Sequence, residues 1–493
     1  MMHGPEKSDS AIVAMKPANN AAPAAAEWVE PRAGTKGNAE QSRTQRTQRR
    51  ASVSPGLDRV RHAARQRKKE KFTALLHHVT VDLLRDAFLA LKRRAAPGVD
   101  GVTWQDYEAN LEGNLQELHA RVHRGTYRAL PVRRRFIPKP GTDKQRPLGI
   151  AALEDKVVQR AVVVVLNAIY EEDFLGFSYG FRPGRGQHDA LDALSVAIGG
   201  TRVNWILDAD IRSFFDGLSQ PWLVRFLEHR VGDERILRLV RKWLKAGVLE
   251  EGEWSVSEAG TPQGAVASPL LANVYLHYVF DLWAQQWRRR EANGNVIFVR
   301  YADDIVAGFE HETDARRFWD AMRARFEQFG LELHGEKTRL LEFGRNAAGQ
   351  RRRRGLGKPE TFTFLGFTFI CGTSRRGAFL LQRKTRRDRM RAKLREVKED
   401  LRRHMHEPIP EQGHRLKAVV AGYFAYHAVP TNMRALNAFR YHVTNLWFRT
   451  LRRRSQKHRL TWDRMPRLAA DWLPRPRILH PWPQQRFAVN HPR

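Results

Sequence analysis

Three aspartates stand where the chain leaves apolar segments, a setting in which carboxylates collect around divalent metal ions. Asp210 follows the apolar segment Trp205–Ala209. The pair Asp303–Asp304 lies between two further apolar segments, Val296–Tyr301 and Ile305–Gly308. Phosphoryl transfer onto a hydroxyl uses two divalent ions roughly 3.5–4 Å apart, and Mg²⁺ takes a few carboxylates rather than a cage of His and Cys. The three carboxylates therefore predict a two-metal site for phosphoryl transfer.

An isolated Asp–Asp pair is more often only a polar turn between two strands. Asp303–Asp304 becomes a metal candidate because both neighbouring segments are apolar and because Asp210 supplies a partner. Asp208 stands two residues before Asp210 and shares its face in an ideal strand. We expect Asp208 to influence this site without binding the metal itself.

The chain carries far more positive than negative charge. Its 493 residues include 86 Lys and Arg against 53 Asp and Glu, which gives a formal net charge of +33. A basic excess of this size is typical of proteins that bind the phosphates of nucleic acid. A surface that serves only solubility is the alternative.

The composition also excludes several other classes of protein. A single cysteine, Cys371, allows neither a disulfide framework nor a Cys-rich zinc site. The longest apolar run, Ala161–Leu166, is too short to span a bilayer. The first residues lack the apolar core of a signal peptide. We therefore expect no membrane partner.

Periodicity and turn residues predict the elements that position the aspartates. Leu130–Ile150 is predicted as a β-hairpin, because Pro140-Gly141 supplies a turn between two runs. The apolar segments around the aspartates, with the helices between them, predict an antiparallel sheet of the split βαβ plan. Its last strand is predicted at Leu331–His334, and a loop at Gly344–Glu360. Beyond Thr385 the chain becomes helical and basic.

Eight short blocks follow one another in a characteristic order. They are Ala96–Thr103, Ile137–Ile150, Phe177–Gly186, Asp210–Asp216, Gly260–Asn273, Tyr301–Asp304, Gly330–Thr338 and Phe364–Phe367. Together they resemble the bacterial group II intron-encoded reverse transcriptases, which also act as maturases. The resemblance covers about residues 75–480. One block alone would be weak support, whereas eight in order leave little room for chance.

The resemblance implies an α+β fold of the right-hand polymerase type. Residues 71–375 would form the fingers and a palm with an antiparallel split βαβ sheet. Residues 376–480 would form an α-helical thumb and maturase domain that binds RNA. Residues 1–70 are expected to be a disordered basic tail, and residues 481–493 a second tail.

The same resemblance assigns roles around the nucleotide. Asp210, Asp303 and Asp304 would hold two Mg²⁺ ions together with the main chain of Ile211. Side chains that would bind the incoming deoxynucleoside triphosphate are Lys139 and Arg146 at its phosphates, Phe215 under its sugar, and Gln263 near its base. A bulky ring at the position of Phe215 clashes with a 2′-hydroxyl, so it favours a DNA product and disfavours an RNA-directed RNA polymerase. An ordinary core phenylalanine is the alternative.

Four further residues are assigned to the primer and template. Gly264 would let the backbone approach the primer–template pair, and Tyr301 would pack near the primer end. Arg182 would contact the template or support the fingers through a salt bridge. Lys337 lies in the block Gly330–Thr338, which carries the same assignment.

The implied function is an RNA-directed DNA polymerase, a nucleotidyltransferase that also binds its intron RNA to assist splicing and mobility. Its partners would be intron and template RNA, a DNA primer or target, and deoxynucleoside triphosphates; the sequence leaves the oligomeric state open. The location would be the bacterial cytoplasm, where association with the nucleoid is compatible. No Cys-x-x-Cys pair follows the helical region, so a zinc-containing HNH endonuclease module is not expected. Two alternatives remain: a domesticated reverse transcriptase in defence or repair, and a non-catalytic RNA-binding splicing factor.

Overall fold

The computed structural model describes residues 55–138, 145–250, 253–255, 260–261, 264–454 and 460–490. Its helices are α1 Pro55–Gln66, α2 Val81–Leu89, α3 Trp104–Glu108, α4 Leu111–Arg124, α5 Leu153–Asp173, α6 Gln187–Gly200, α7 Phe214–Gly217, α8 Gln220–Glu228, α9 Glu234–Lys245, α10 Ser268–Leu276, α11 Leu282–Arg290, α12 Glu312–Gln328, α13 Ala347–Arg353, α14 Arg387–Arg403, α15 Ile409–His427, α16 Met433–Arg452, α17 Met465–Trp472 and α18 Pro483–Asn490. Its strands are β1 Val132–Pro138, β2 Gln145–Ile150, β3 Trp205–Asp210, β4 Val248–Glu250, β5 Glu253–Ser255, β6 Val296–Tyr301, β7 Asp304–Phe309, β8 Arg339–Glu342, β9 Phe362–Phe364, β10 Phe367–Thr373 and β11 Phe379–Thr385.

The central sheet has the strand order β6-β7-β3-β8, and all its neighbours are antiparallel. Successive strand residues point to opposite faces, so each strand contributes to two cores. Leu207 and Phe298 pack with α12 on one face. Ile206 and Ile297 pack with α6 on the other. The predicted α+β fold with a helix-backed antiparallel palm is confirmed.

The last strand of this sheet differs from the prediction. Leu331–His334 makes only one bridge, between Leu333 and Ile211. The chain then turns back, since the amide of Thr338 donates to the carbonyl of His334 at 2.9 Å. Regular pairing with β3 resumes only at Arg339, so β8 begins there. The alternating pattern at 331–334 indicated extended backbone correctly but could not show where the turn falls.

The predicted hairpin at Leu130–Ile150 is present as β1 and β2. Its register runs from Arg133 opposite Ile150 to Pro138 opposite Gln145. Strands β4 and β5 extend this sheet in the order β2-β1-β4-β5. The residues that connect β1 to β2 lie outside the described part of the chain.

The prediction of a disordered tail to residue 70 is wrong for residues 55–66, which form α1. Leu57 and Ala64 of this helix are buried in the larger core. Arg230, which is 3% exposed, donates to the main-chain oxygens of Ala64, Arg67 and Glu70. Its Nε also lies 2.8 Å from Asp173. Burial and a shared arginine therefore fix the segment after residue 54.

The helices of the C-terminal region begin close to Thr385, where the composition changes, and later than the predicted domain boundary at residue 376. Residues 379–385 form β11, the edge of a small sheet with the order β11-β10-β9, so the helices start at Arg387. Trp447 of α16 is fully buried, and its Nε1 donates to Gln412 of α15 at 2.9 Å. The predicted loop 344–360 contains the short helix α13.

The predicted tail 481–493 contains helix α18, which docks on α6. Arg486 of α18 donates to Asp189 at 2.9 Å and lies 3.6 Å from Asp192. Phe487 packs against the core on that face of the palm. Within the described ranges, no helix combines the length and the apolar character needed to cross a bilayer.

Truncation tests the contribution of α1. Removal of residues 1–67 would take away two of the three carbonyl partners of Arg230, those of Ala64 and Arg67, together with the buried face of α1. Removal of residues 1–54 would leave both. We expect the longer truncation to lose about 3–5 kcal/mol more unfolding free energy, because each hydrogen bond to a charged group contributes about 1.5–3 kcal/mol and the buried face of α1 is lost as well. Urea titration of both proteins measures this difference. Equal unfolding free energies would contradict the structural role of α1.

Candidate active site

The sheet register brings the predicted carboxylates together. Asp210, the last residue of β3, is directly opposite Asp304, the first residue of β7. Opposite residues in antiparallel strands lie about 4.5–5.5 Å apart at Cα and project on the same face. Asp303 precedes Asp304 in the two-residue turn from β6. All three predicted aspartates therefore lie at one end of the sheet.

The turn that carries Asp303 has a tightly enclosed backbone. Its first central residue, Ala302, has φ +55° and is 6% exposed. The backbone of Gly180 packs directly against it, because a Cβ at Gly180 would come within 2.3 Å of the Ala302 nitrogen. Glycine at position 180 therefore permits the close contact that holds the turn from outside the sheet.

A buried arginine holds the same turn from inside. Arg300 is 0% exposed and uses all five of its N–H donors. Two bonds, of 2.7 and 2.6 Å, reach the carboxylate of Asp281. The others reach Asn273 Oδ1, Ser178 Oγ and, at 3.0 Å, the carbonyl of Ala302. Charge-assisted bonds of this kind are about twice as strong as neutral ones, so the metal-site turn is anchored to the interior.

Arg300 thereby joins segments that are far apart in sequence. Asp281 lies in a π-helical segment, His277–Asp281, that interrupts the run from α10 to α11. Asn273 also donates to the carbonyl of Gly180 at 2.7 Å. Sequence reasoning missed this network. The available signal was a charged residue inside the otherwise apolar strand Val296–Tyr301.

The main chain around Asp210 is fixed by the segment after α12. The amide of His334 donates to the carbonyl of Asp210, and the amide of Arg212 to the carbonyl of Glu332, both at 2.8 Å. These two bonds form the bridge between Ile211 and Leu333. The bridge does not use the carbonyl of Ile211 itself, which is compatible with its predicted metal contact.

Lys337 lies beside the metal-site carboxylates. Its Nζ is 2.7 Å from Oδ2 of Asp210. The side chains are 60% and 32% exposed respectively, so solvent weakens this pair. The carboxylate of Asp210 thus attracts a cation at this end of the sheet. The primer or template role predicted for Lys337 stays a prediction.

The carboxylates fit a metal that also relies on its substrate. Among the described residues, no three His, Cys, Asp or Glu side chains are grouped closely enough to hold an ion by themselves. Mg²⁺ characteristically binds one or two carboxylates and completes its shell with water and substrate phosphates. Asp210 and Asp304, with Asp303 in the adjoining turn, therefore suit Mg²⁺ better than a structural metal.

Asp208 differs from its neighbour Asp210. Burial raises the pKa of Asp208 to about 6, and the nearby guanidinium of Arg339 opposes this shift. Arg339 is its register partner on β8, with Nη2 3.9 Å from the Asp208 carboxylate. The structure thus places Asp208 beside a cation of the sheet, and the expectation that it does not bind the metal stays a prediction.

Phe215 and the segment after residue 259 meet next to Asp210. Phe215 lies in α7, a single turn that starts after Ser213, whose φ is +44°. The Phe215 ring is half-buried and contacts Phe214 edge to face at 5.3 Å. Its carbonyl accepts the amide of Thr261 at 2.8 Å. A Cβ at Gly260 would lie 2.7 Å from that same oxygen, so the two segments are in direct backbone contact.

Contacts within the protein require glycine at position 264. Its φ is +108°, and a Cβ would come within 2.6 Å of the carbonyl of Gly149 in β2. In this structure the backbone of Gly264 is therefore in close contact with strand β2, whereas close contact with the primer–template pair was predicted from the sequence. Lys139 and Gln263 lie outside the described residues. The main chain of Arg146 pairs with Ile137 in the hairpin.

The prediction that Arg182 contacts the primer or template is wrong, because its side chain is inside the protein. Arg182 is 1% exposed and donates to Glu171, at 3.0–3.2 Å, and to the carbonyls of Leu175 and Ser178. The alternative supporting role is the one observed. Tyr301 is half-buried beside the metal-site turn, with its ring 6.4 Å from that of Phe181.

Replacement of Arg300 tests the anchoring of the turn. Arg300→Met would leave the fully buried Asp281 carboxylate without its cation, which costs about 3–5 kcal/mol of unfolding free energy. Faster amide hydrogen exchange at residues 302–304 should accompany this loss. Arg202→Met is the control, because Arg202 is 82% exposed and pairs weakly with Glu310. Equal stability of the two variants would show that Arg300 is not an anchor.

Comparison with known proteins agrees with this geometry. Residues 137–369 match the family model described as reverse transcriptase (RNA-dependent DNA polymerase). Protein YkfC of Escherichia coli K12 is 35% identical over 324 residues, which cover 59% of this chain and 80% of that protein. The group II intron-encoded protein LtrA of Lactococcus lactis is 35% identical over 222 residues, 45% of this chain.

The shared region covers only 37% of LtrA, so the relative is much longer than the part that matches. A plant relative, nuclear intron maturase 3 of Arabidopsis thaliana, is 29% identical over 175 residues, which cover 31% of this chain and 24% of that protein. Matches to bacterial and organellar intron proteins thus accompany the polymerase blocks. The chain belongs to the family of group II intron-encoded reverse transcriptases and maturases.

Proposed function

We propose that this protein is an RNA-directed DNA polymerase that transfers nucleotides from deoxynucleoside triphosphates to a primer 3′-hydroxyl on an RNA template. The observation that carries the proposal is the register of Asp210 opposite Asp304, with Asp303 in a turn anchored by Arg300. Two bound Mg²⁺ ions would activate the attacking hydroxyl and neutralise the leaving phosphates. Asp210, Asp303 and Asp304 would hold them, together with the carbonyl of Ile211.

The residues around the aspartates divide the remaining tasks. Phe215, beside Asp210 and braced by Thr261, would lie under the sugar and exclude a 2′-hydroxyl. Lys139 and Arg146 would hold the triphosphate, since cations placed at the phosphates stabilise the negative charge that develops there. Gln263 would contact the nucleotide near its base. Gly264, Tyr301 and Lys337 would lie along the primer and template.

We also propose that the helical domain binds intron RNA and assists splicing and mobility. The relatives named as intron-encoded proteins and intron maturases support this second role, as does the basic character of α14 and α16. The work would take place in the bacterial cytoplasm near the nucleoid. A domesticated reverse transcriptase in defence or repair would keep the same active site, and a catalytic intron RNA encoded around the gene would decide against it.

A purely RNA-binding splicing factor would not need the arrangement at the sheet end. All five N–H donors of Arg300 form hydrogen bonds inside the protein, and one of their acceptors is the carbonyl of Ala302 in the metal-site turn. A buried ion pair of this kind carries a desolvation cost. Its position directly behind Asp303 is accounted for by a site that must be held rigidly for catalysis.

Replacement of Asp303 tests the polymerase proposal. Asp303→Asn should lower Mg²⁺-dependent primer extension on an RNA template by more than about 1000-fold, because several kcal/mol of charge stabilisation are lost. Filter binding of RNA should be unchanged. Asp320→Asn is the control, since Asp320 is an exposed carboxylate on α12. A folded wild-type protein that binds RNA but extends no primer would overturn the proposal.

Replacement of Phe215 tests the choice of sugar. Phe215→Ala should relax discrimination against ribonucleotides, measured as the ratio of kcat/KM for a deoxynucleotide to that for the matching ribonucleotide. We expect this ratio to fall by about 10- to 200-fold, the range that a shape difference in a pocket supplies. Phe215→Tyr keeps the ring and should keep the ratio. An unchanged ratio in Phe215→Ala would remove Phe215 from this role.

A further inference from the structure

A groove of about 640 Å³ lies at the C-terminal end of α16, in the helical domain. One wall is formed by side chains spaced four, three and four residues apart, so they share a face of the helix. They are Tyr441, Asn445, Phe448 and Arg452. Trp462, from the segment before α17, forms the opposite wall. The groove is therefore built from two separate parts of the domain.

Three aromatic rings in this groove hold one another in fixed orientations. The ring of Trp462 contacts Tyr441 at 5.9 Å and Phe448 at 5.2 Å, each at an angle of 76°. Edge-to-face contacts of this type are a favoured geometry of aromatic pairs. Tyr441 is nevertheless 53% exposed and Trp462 36% exposed. Ring surface thus remains open to the solvent within a preformed wall.

The charged residues that line the groove in the described part of the chain are all arginines. Arg449, Arg452 and Arg453 line it, and among the described residues no acidic side chain does. Arg452 stacks over Phe448 at 5.6 Å. Within the described part of the chain, neither Arg449 nor Arg453 forms an ion pair with an acidic residue. These guanidinium groups are therefore available to an anion brought in from outside.

We propose that this groove binds an unpaired nucleotide of single-stranded RNA. The base would stack on Trp462 and Tyr441, and the adjoining phosphates would contact Arg449 and Arg453. Aromatic rings beside cations are the combination that single strands use, since every base has a stacking face and every linkage a charge. A duplex hides its base faces, and an acidic peptide would leave the rings unused.

The inference deepens the proposed binding of intron RNA by the helical domain, because it names the groove and the unpaired nucleotide that the groove takes. The choice of RNA over DNA rests on the proposed function. The presence of a stacking groove rests on the rings and guanidinium groups alone. The two parts of the inference can therefore be tested separately.

The stacking part is tested with a ten-nucleotide single-stranded RNA that carries one 2-aminopurine, whose fluorescence is quenched when it stacks. Trp462→Ala in the full-length protein should weaken binding about tenfold and reduce the quenching, in line with the contribution of one stacked base. Trp462→Phe should retain most of both. Trp482→Ala is the control, because Trp482 is 46% exposed and is not part of the groove. If Trp462→Ala and Trp482→Ala bind and quench alike, the groove is not the site.

The phosphate part is tested by the salt dependence of binding. Arg449→Gln with Arg453→Gln should reduce the slope of log Kd against log salt by about 1.4, from 0.7 per phosphate on a single strand. Arg375→Gln with Arg376→Gln removes the same charge from an exposed turn between β10 and β11 and should leave the slope unchanged. These surface substitutions also keep the proposal testable if Trp462→Ala fails to fold. Equal slopes in both double variants would overturn the phosphate contacts.

Two further measurements separate this inference from the polymerase proposal. Asp303→Asn keeps the groove intact, so it should quench the probe like the wild type while it fails to extend a primer. Loss of quenching in Asp303→Asn would contradict a separate site. A DNA probe of the same sequence should bind more weakly than RNA, and tighter binding of DNA would overturn the assignment to RNA.

Discussion

The ion pair between Arg300 and Asp281 is the interaction on which the geometry of the site depends. Both side chains are fully buried, so each would be costly without the other. The remaining donors of Arg300 reach three other segments, and one of these contacts fixes the backbone oxygen of Ala302. Metal ligands placed on a free hairpin would move with every fluctuation of its turn. The buried arginine ties the turn that bears Asp303 to helix, strand and loop simultaneously.

The palm sheet supplies the second constraint, because it is buried on both faces. A shift of one residue in the pairing of β3 with β7 would turn Ile206 toward the core that holds Leu207, and Leu207 toward the core that holds Ile206. The same shift would move Asp210 away from Asp304. Hydrophobic packing thereby sets the register that the carboxylates need. The acidic end of the sheet remains solvent-accessible, and Lys337 supplies a positive charge there. The apolar residues of β3 and β7 thus stabilise the fold, while the aspartates at one end of the same strands are left for the chemistry.

The sequence was sufficient for the strands around the aspartates, since their apolar runs and turns are local patterns. It was insufficient for contacts between distant residues. Arginine is rarely buried, so neither Arg300 nor Arg182 could be assigned to the interior without its partners. Helix α1 was missed because its few apolar residues acquire a partner only when α5 is present. The fourth strand was placed too early because residues 331–334 are extended without continuing the ladder.

The docking of α18 on α6 has a consequence for synthesis of the chain. Arg486 and Asp189 are 297 positions apart, so α6 leaves the ribosome long before its partner exists. Until then, among the described residues, Asp192 has Arg383 alone as a cation, and Phe487 is missing from that side of the palm. Contacts between such distant positions form slowly because a long loop must close. During translation, therefore, the palm sheet is completed on one face well before the other.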